Sequence, residues 1–228
     1  MMEPAKTIIP AVLSYSKQDY ISWVSELKNY FKSVHIDVID SSYDKESWFD
    51  SFSAFKYLED FNNIIVHLMV LDPFEFLFNK SSHLKKEGAL YILKYSSLGD
   101  MVKDKLNRLR ALGFKLGVFF NPEDSLEIPL EHFQYFKEFM FMSVTPGRAG
   151  SDFNQKGLDN LKAFKQKYDK FLLDTTLSVD GGFNELTFKS FFNSPAEVIY
   201  TNSFLKSNGV KEALNKLSIL ANQYKPEE

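Results

Sequence analysis

The 228-residue chain contains no cysteine. This absence excludes structural disulfides, a CxxC redox pair, a catalytic thiolate and a zinc ion held by cysteine. Any metal ion bound by this protein must therefore be held by nitrogen and oxygen atoms.

The chain also lacks an excess of positive charge. Its 27 Lys and Arg residues are outnumbered by 30 Asp and Glu residues, which gives a formal net charge of -3. Proteins that bind nucleic acid usually carry a basic surface that neutralises phosphates. We therefore predict no nucleic acid partner.

Long hydrophobic runs are absent as well. No stretch approaches the roughly 20 apolar residues that are needed to cross a bilayer, and residues 1–6 lack the apolar run of a signal peptide. The sequence thus predicts a cytoplasmic protein without a membrane partner. It leaves the oligomeric state open, and a homo-oligomer is compatible with it.

What the chain does have is a regular alternation of short apolar runs and longer amphipathic stretches. With 44% hydrophobic residues, it can bury a sizeable core. The predicted strands are residues 7–13, 33–39, 63–70, 89–94, 114–120, 138–144, 172–179 and 196–201. The predicted helices are residues 17–31, 46–58, 73–86, 98–112, 126–136, 154–168, 184–192 and 203–223.

The repeated order of strand and helix requires parallel strands joined by crossover helices. The first strand is not followed by the GxGxxG motif that is typical of a nucleotide site in an open sheet. Eight such units therefore predict a closed (β/α)8 TIM barrel. Because no linker interrupts the pattern, we expect residues 1–228 to form a single domain, with frayed ends near 1–6 and 224–228.

Candidate chemical groups follow from the rule that TIM barrels carry their sites at the carboxyl ends of the strands. His35 and Asp37 lie two residues apart on the second strand and so share a face. The third strand supplies His67, and the seventh ends at Asp180. Imidazole and carboxylate ligands suit zinc, iron(II), manganese or cobalt. We interpret the four residues as a site for one divalent metal ion.

An alternative interpretation stays open for each part of this set. A His-x-Asp pair in a strand can simply be hydrogen-bonded, and an interior histidine can be a satisfied core residue. The two remaining histidines, His83 and His132, fall on predicted helix or loop segments, and we expect both to be exposed.

A second candidate site lies in the loops after strands six, seven and eight. These loops contain Gly147, Gly150, Gly181, Gly182, Asn202 and Ser203. Glycine lets the backbone approach a ligand closely, and backbone N–H groups after strands seven and eight commonly bind phosphate in this fold. We predict a phosphorylated ligand, with ordinary turns as the alternative. Arg148 could clamp the phosphate or remain an exposed charge.

Several sequence blocks, taken in order, resemble the ribulose-phosphate 3-epimerase family. They are IPAVLS at 9–14, VHIDVID at 34–40, VHLMV at 66–70, NP at 121–122, MSVTPG at 142–147 and VDGG at 179–182. The likeness runs over nearly the whole chain, with compatible spacings between the blocks.

The resemblance implies an isomerase with a (β/α)8 barrel and a divalent metal ion bound by His35, Asp37, His67 and Asp180. It further implies that Asp37 and Asp180 are the acid/base pair that inverts carbon 3 of a phosphoketose through an enediolate. Two acids that exchange roles allow the reaction to run in both directions.

The same resemblance adds three residues to the predicted substrate site. Ser14 ends the opening block, and Met69 and Met142 match apolar positions around the enediolate, although both methionines would serve equally well as core residues.

The chain also departs from the family pattern. Ala11 stands where the family usually has Ser, Lys94 replaces an interior His, and residues 41–46 form a different loop. Asn202-Ser203 replaces Gly-Ser, and residues 148–151 also differ.

We expect D-ribulose 5-phosphate and D-xylulose 5-phosphate, intermediates of the pentose phosphate pathway, as the substrate pair. The alternatives are another ketose phosphate, such as allulose 6-phosphate, and a sugar-phosphate-binding protein without turnover.

Overall fold

A computed structural model describes residues 6–42, 55–79, 88–145 and 151–224. Within these ranges eight parallel strands pair in sequence order, and the first strand pairs with the last. The predicted closed (β/α)8 barrel is therefore confirmed.

The strands and helices alternate along the described residues. The strands are β1 (Thr7–Val12), β2 (Ser33–Ile39), β3 (Asn63–Met69), β4 (Leu90–Lys94), β5 (Lys115–Phe120), β6 (Phe136–Met142), β7 (Thr176–Asp180) and β8 (Val198–Thr201). The α-helices are α1 (Lys17–Leu27), α2 (Pro73–Asn79), α3 (Val102–Ala111), α4 (Gln155–Tyr168), α5 (Phe188–Phe192), α6 (Ser203–Asn208) and α7 (Val210–Gln223). Short 3-10 helices cover Phe55–Tyr57, Tyr95–Leu98, Leu130–Tyr135 and Asp169–Phe171.

Several predicted boundaries differ from the structure, and three of the differences have a clear local cause. The helix expected at 126–136 is wrong: Pro129 has a non-helical ψ of 134°, and a 3-10 helix over Leu130–Tyr135 leads directly into β6. β7 begins at Thr176 rather than 172, because the Leu172 carbonyl accepts the N–H of Thr175 in a turn. The predicted last helix divides at Gly209, whose φ of 74° lies in the left-handed region.

Two helix predictions extend beyond the described residues. Most of the helix expected at 46–58 falls in 43–54, and the end of the one expected at 73–86 falls in 80–87. The single-domain organisation of residues 1–228 stays a prediction, since 1–5 and 225–228 also lie outside the described ranges.

The alternation of side chains along each strand divides the core into two layers. Helix α1 illustrates the outer layer: the Ser16 side chain caps its first turn, and Tyr20, Trp23, Val24 and Leu27 are buried on the side facing the barrel. Burying one such side chain contributes about 1.5–3 kcal/mol. The inner layer fills the barrel with residues such as Ile9, Ile65, Ile92, Phe119, Met140 and Tyr200.

Among the described residues, no helix combines the length and apolarity that a membrane span requires.

Candidate metal centre and active site

Four side chains meet inside the barrel near the carboxyl ends of the strands. β2 supplies His35 and Asp37, β3 supplies His67, and Asp180 is the last residue of β7. One possible ligand atom from each residue lies within 4.8 Å of those from the others. The pairing of β2 with β3 places Asp37 directly beside His67. The structure therefore brings together all four predicted ligands.

The His67 ring lies between the two carboxyl groups. Its Nδ1 atom is 3.1 Å from Asp37 Oδ1 and 3.5 Å from Asp180 Oδ2. Burial alone would lower the pKa of His67, but its hydrogen bonds to Asp180 and Asp37 raise the pKa to about 9. Without a metal ion, a proton on His67 offsets part of the carboxylate charge.

His35 has a different environment within the same cluster. Its Nε2 atom is 3.9 Å from Asp37 Oδ1, which is too long for a hydrogen bond. Desolvation by burial lowers its pKa, and the charges of Asp37 and Asp180 only partly oppose this effect. His35 is therefore neutral at pH 7, the state in which imidazole binds a metal ion.

The donor atoms of this cluster fit a divalent metal ion. Both ring nitrogens of His35 and the Nε2 atom of His67 are buried and find no hydrogen-bond partner in the part of the chain that the structure describes. Such atoms are rare in folded proteins and call for an explanation, such as an absent ion or water. Two imidazoles and two carboxylates match the ligands of zinc and of other transition metals. The cluster can thus hold a metal ion.

Other buried polar atoms without a partner lie at the same end of the barrel. Among the described residues these atoms are Ser14 Oγ, Asn121 Oδ1 and Asn202 Oδ1. Ser14 lies two residues after β1, while Asn121 and Asn202 directly follow β5 and β8. They leave free hydrogen-bonding capacity around the cluster, as expected for a ligand site. Ser14 and Asn202 were predicted as site residues from the sequence, whereas Asn121 entered only as part of the NP block at 121–122.

Met69 and Met142 form part of the apolar wall near the cluster. Both are 2% exposed and belong to the inner core layer, and Met142 pairs with Asp180 across β6 and β7. Their substrate role stays a prediction, since packing in the core alone would explain their burial.

The loop after β7 has the backbone conformation that its glycines allow. Gly181 and Gly182 have φ values of 87° and 70°, and a side chain at Gly181 would overlap Val144. The Ser143 hydroxyl donates to the Gly181 carbonyl oxygen at 2.7 Å and so holds this loop against β6. Ser203 is exposed at the start of α6, which has no side-chain cap.

Three residues of the predicted phosphate site, Gly147, Gly150 and Arg148, lie outside the described residues, as does His83.

Comparison with known proteins identifies the family. The profile of the "Ribulose-phosphate 3 epimerase family" matches residues 7–205, which is most of the chain. The chain belongs to this family.

Two similar proteins are each named ribulose-phosphate 3-epimerase. That of Bacillus subtilis is 25% identical over 86% of this chain and 90% of its own length. That of Aquifex aeolicus is 26% identical over 61% of each chain. The match to the Aquifex protein thus spans less than two thirds of that relative.

Solved structures of other enzymes share the fold of this family member. A 3-keto-L-gulonate-6-phosphate decarboxylase from Vibrio cholerae has a TM-score of 0.63 at 12% identity, covering 97% of this chain and 100% of that one. A structure named KGPDC from Streptococcus mutans has a TM-score of 0.64 at 10% identity, covering 96% of this chain and 99% of that one. At these identities the likeness concerns the fold alone.

This epimerase-family chain also buries a polar group that the sequence analysis missed. Glu138 on β6 is 4% exposed, and its Oε1 atom accepts hydrogen bonds from Ser178 Oγ at 2.5 Å and from Tyr200 OH at 2.7 Å. Burial raises the pKa of Glu138 to about 7. The one sequence signal for its burial is the period of two along β6, which places Glu138 on the same face as Met140 and Met142.

The expected exposure of His132 is wrong. This residue is 7% exposed, and its Nδ1 atom lies 2.8 Å from the Tyr95 hydroxyl, which comes from the 3-10 helix after β4. The pairing could not be read from the local sequence, because Tyr95 lies 37 residues before His132.

Ala11 and Lys94, which depart from the family pattern, both have defined contacts in the structure. Ala11 is buried in the inner layer and pairs with His35 across β1 and β2. Lys94, at the end of β4, forms a 3.1 Å ion pair with Asp124, whose other oxygen accepts the N–H of Asn121. Lys94 is therefore engaged with a neighbouring loop. Only residues 41–42 of the changed loop are described.

Proposed function

We propose that this protein is a metal-dependent epimerase acting at carbon 3 of a phosphoketose, with D-ribulose 5-phosphate and D-xylulose 5-phosphate as its substrates. The observation that carries the proposal is the convergence of His35, Asp37, His67 and Asp180 within 4.8 Å inside the barrel. Membership of the ribulose-phosphate 3-epimerase family supports it.

The four residues would hold one divalent ion, and we propose zinc, iron(II), manganese or cobalt. A bound divalent ion supplies positive charge against the negative charge that develops on the substrate oxygens when carbon 3 loses its proton. The protein itself contributes a dry, fixed position for the two carboxyl groups, since Asp37 and Asp180 have side-chain exposures of 8% and 10%.

We assign the proton transfers to Asp37 and Asp180. They come from β2 and β7, which are separated around the barrel by β8 and β1. A substrate bound between them would meet one carboxyl on each face of carbon 3. One carboxylate removes the proton, giving an enediolate, and the other carboxylic acid delivers a proton to the opposite face, so the configuration inverts.

For substrate binding, we propose that the phosphate contacts backbone N–H groups of Gly181, Gly182 and Ser203, together with Gly147 and Gly150. Asn202 and Ser14 would offer their unpartnered oxygen atoms to sugar hydroxyls. Met69 and Met142 would exclude water from the enediolate, a role that their burial supports. We also propose that the protein is located in the cytoplasm.

The decisive experiment is isotope exchange at carbon 3. Protein loaded with manganese, iron(II), zinc or cobalt is incubated with ribulose 5-phosphate in deuterated buffer, and deuterium at carbon 3 is followed by NMR. Epimerisation through a carbanion-like state must incorporate solvent deuterium. If no metal supports exchange, the proposed activity is wrong.

The same assay separates the alternatives. Faster exchange with allulose 6-phosphate, measured as a higher kcat/KM, would assign a six-carbon substrate. Binding of either sugar phosphate in calorimetry without any exchange would identify a binding protein that lacks turnover.

A further inference from the structure

The buried Glu138 carboxyl has no role in the proton transfers proposed above. It lies in the barrel interior on β6, and the same oxygen accepts from both Ser178 and Tyr200. Burying a carboxyl group costs several kcal/mol unless its partners compensate, and an apolar residue would avoid that cost. The network therefore needs an explanation beyond packing.

The neighbouring strand leaves space for this side chain. Gly117 on β5 has no Cβ, and one built there would lie 3.0 Å from the Glu138 carbonyl oxygen, 3.2 Å from Glu138 Cβ and 3.2 Å from Ile92. These separations are tighter than ordinary van der Waals contacts. Glycine at this position thus accommodates the polar residue inside the barrel.

Tyr200 connects Glu138 to the candidate metal centre. Its hydroxyl donates to Glu138, and the centroid of its ring lies 4.3 Å from that of His35, at an interplanar angle of 38°. Its backbone is fixed by the pairing of β8 with β7, which places Tyr200 beside Asp180. The ring is therefore held at both ends while it contacts an expected metal ligand.

His35 depends on such ring contacts more than His67 does. Among the described residues, neither nitrogen of His35 has a hydrogen-bond partner, whereas His67 Nδ1 lies 3.1 Å from Asp37. A metal-binding histidine normally donates its second ring N–H to a group that fixes its orientation. For His35 the contacts of its ring with Tyr200 and with His67, whose centroid is 5.3 Å away, take that place.

We propose that Glu138 is a positioning residue for the metal centre: it anchors the Tyr200 hydroxyl, and the Tyr200 ring then holds the His35 imidazole in the orientation for metal binding. This inference rests on the proposed function, since it requires a metal ion at His35. It adds a connection from β6 through β8 to β2 that the four ligands do not contain.

Cobalt titration tests the connection without an activity assay. Chelator-treated wild type, Glu138→Leu, Glu138→Gln and Tyr200→Phe are titrated with Co²⁺, and the visible spectrum reports the ligand geometry. Loss of a group that orients a metal ligand typically costs about 10–100-fold in affinity. We expect a weakening of about that size, with a changed spectrum, in Glu138→Leu and Tyr200→Phe. Glu138→Gln should restore binding, because its amide oxygen can still accept from Tyr200.

The matched control for the loss of a tyrosine hydroxyl is Tyr135→Phe, which removes a hydrogen bond to Asn107 outside the barrel interior. It should bind Co²⁺ like the wild type. Wild-type affinity in both Glu138→Leu and Tyr200→Phe would overturn the inference, as would an equal loss in Tyr135→Phe. Ser178 is unsuitable as a control because it contacts both Glu138 and Tyr200. If Glu138→Leu does not fold, Tyr200→Phe decides, because it keeps Glu138 paired with Ser178.

The wild-type titration distinguishes failure of the proposed function from failure of the inference about Glu138. Failure of the wild type to bind Co²⁺, and zinc, iron(II) and manganese in parallel titrations, would overturn the proposed function together with this inference. Binding by the wild type with unchanged variants would overturn the inference alone.

Discussion

The barrel interior and the layer between barrel and helices differ in how they accommodate buried polar side chains. In the outer layer these groups are paired: His132 Nδ1 meets the Tyr95 hydroxyl at 2.8 Å, and the Tyr135 hydroxyl donates to Asn107 at 2.8 Å. At the metal-centre end of the interior, His35 and His67 retain nitrogen atoms that have no partner among the described residues. A buried polar side chain left without a partner costs about 1–3 kcal/mol. These two histidines thus give up stability, as expected of a ligand site.

The largest expected effect is at the carboxyl end of the interior. Asp180→Asn removes a group that can accept or deliver a proton, so deuterium exchange at carbon 3 should slow by about 10²–10⁴-fold. Asp60→Asn, which breaks only an exposed ion pair with Lys28, is the matched control and should exchange like the wild type. Normal exchange in Asp180→Asn would remove this residue from the chemistry.

A pH dependence should distinguish the interior carboxyl Glu138 from surface acids. Its pKa is raised from 4.5 to about 7 by burial, so the folded state binds the proton more tightly than the unfolded state. The resulting stabilisation is present below pH 4.5 and is lost as the pH rises through 7. Between pH 4.5 and 8, the free energy of unfolding of the metal-free wild type should therefore fall by up to about 3 kcal/mol relative to that of Glu138→Gln. Urea unfolding across this range measures the difference, and parallel curves would contradict the assignment.

His35 offers a test of the cost of the interior arrangement. Replacing it with Leu removes two buried nitrogens that lack partners, so metal-free His35→Leu should be more stable than wild type by about 1–3 kcal/mol. The same variant should lose metal affinity. Urea unfolding and cobalt titration measure the two effects, and a destabilised metal-free variant would show that His35 is an ordinary core residue.

The smallest effect is expected in the outer layer. His132→Phe breaks the hydrogen bond with Tyr95 and should lower the free energy of unfolding by about 1 kcal/mol. Its cobalt affinity should equal that of the wild type. A change in cobalt affinity would mean that the two layers are coupled.

The barrel and its four candidate ligands could be predicted because both depend on short-range patterns. Alternating apolar runs indicate the strands, and the spacing of His35 and Asp37 places both on one face of β2. The resemblance to the epimerase family supplied the acid/base roles, which stay predictions. The polar residues of the loops were found by position after each strand, and the structure describes those after β7 and β8.

What the sequence did not reveal depends on distant partners. Glu138 stands at the start of its predicted strand, next to Lys137, where an acidic residue is typical of a solvated strand end. Only the closed barrel brings Ser178 and Tyr200, 40 and 62 residues away, to its carboxyl group. The burial of His132 similarly depends on Tyr95, and no local periodicity records that contact.

The unequal lengths of the strand ladders divide the four candidate ligands into two groups. β2 and β3 are matched at seven consecutive positions and carry His35, Asp37 and His67, whereas β1 and β2 are matched at two positions and β7 and β8 at three. We expect the amide hydrogens bonded between β2 and β3 to exchange slowest and those at the two short ladders to exchange faster. Local opening at a short ladder would keep these three residues together, so the distance from Asp180 to the other three is the one that depends on a closed barrel.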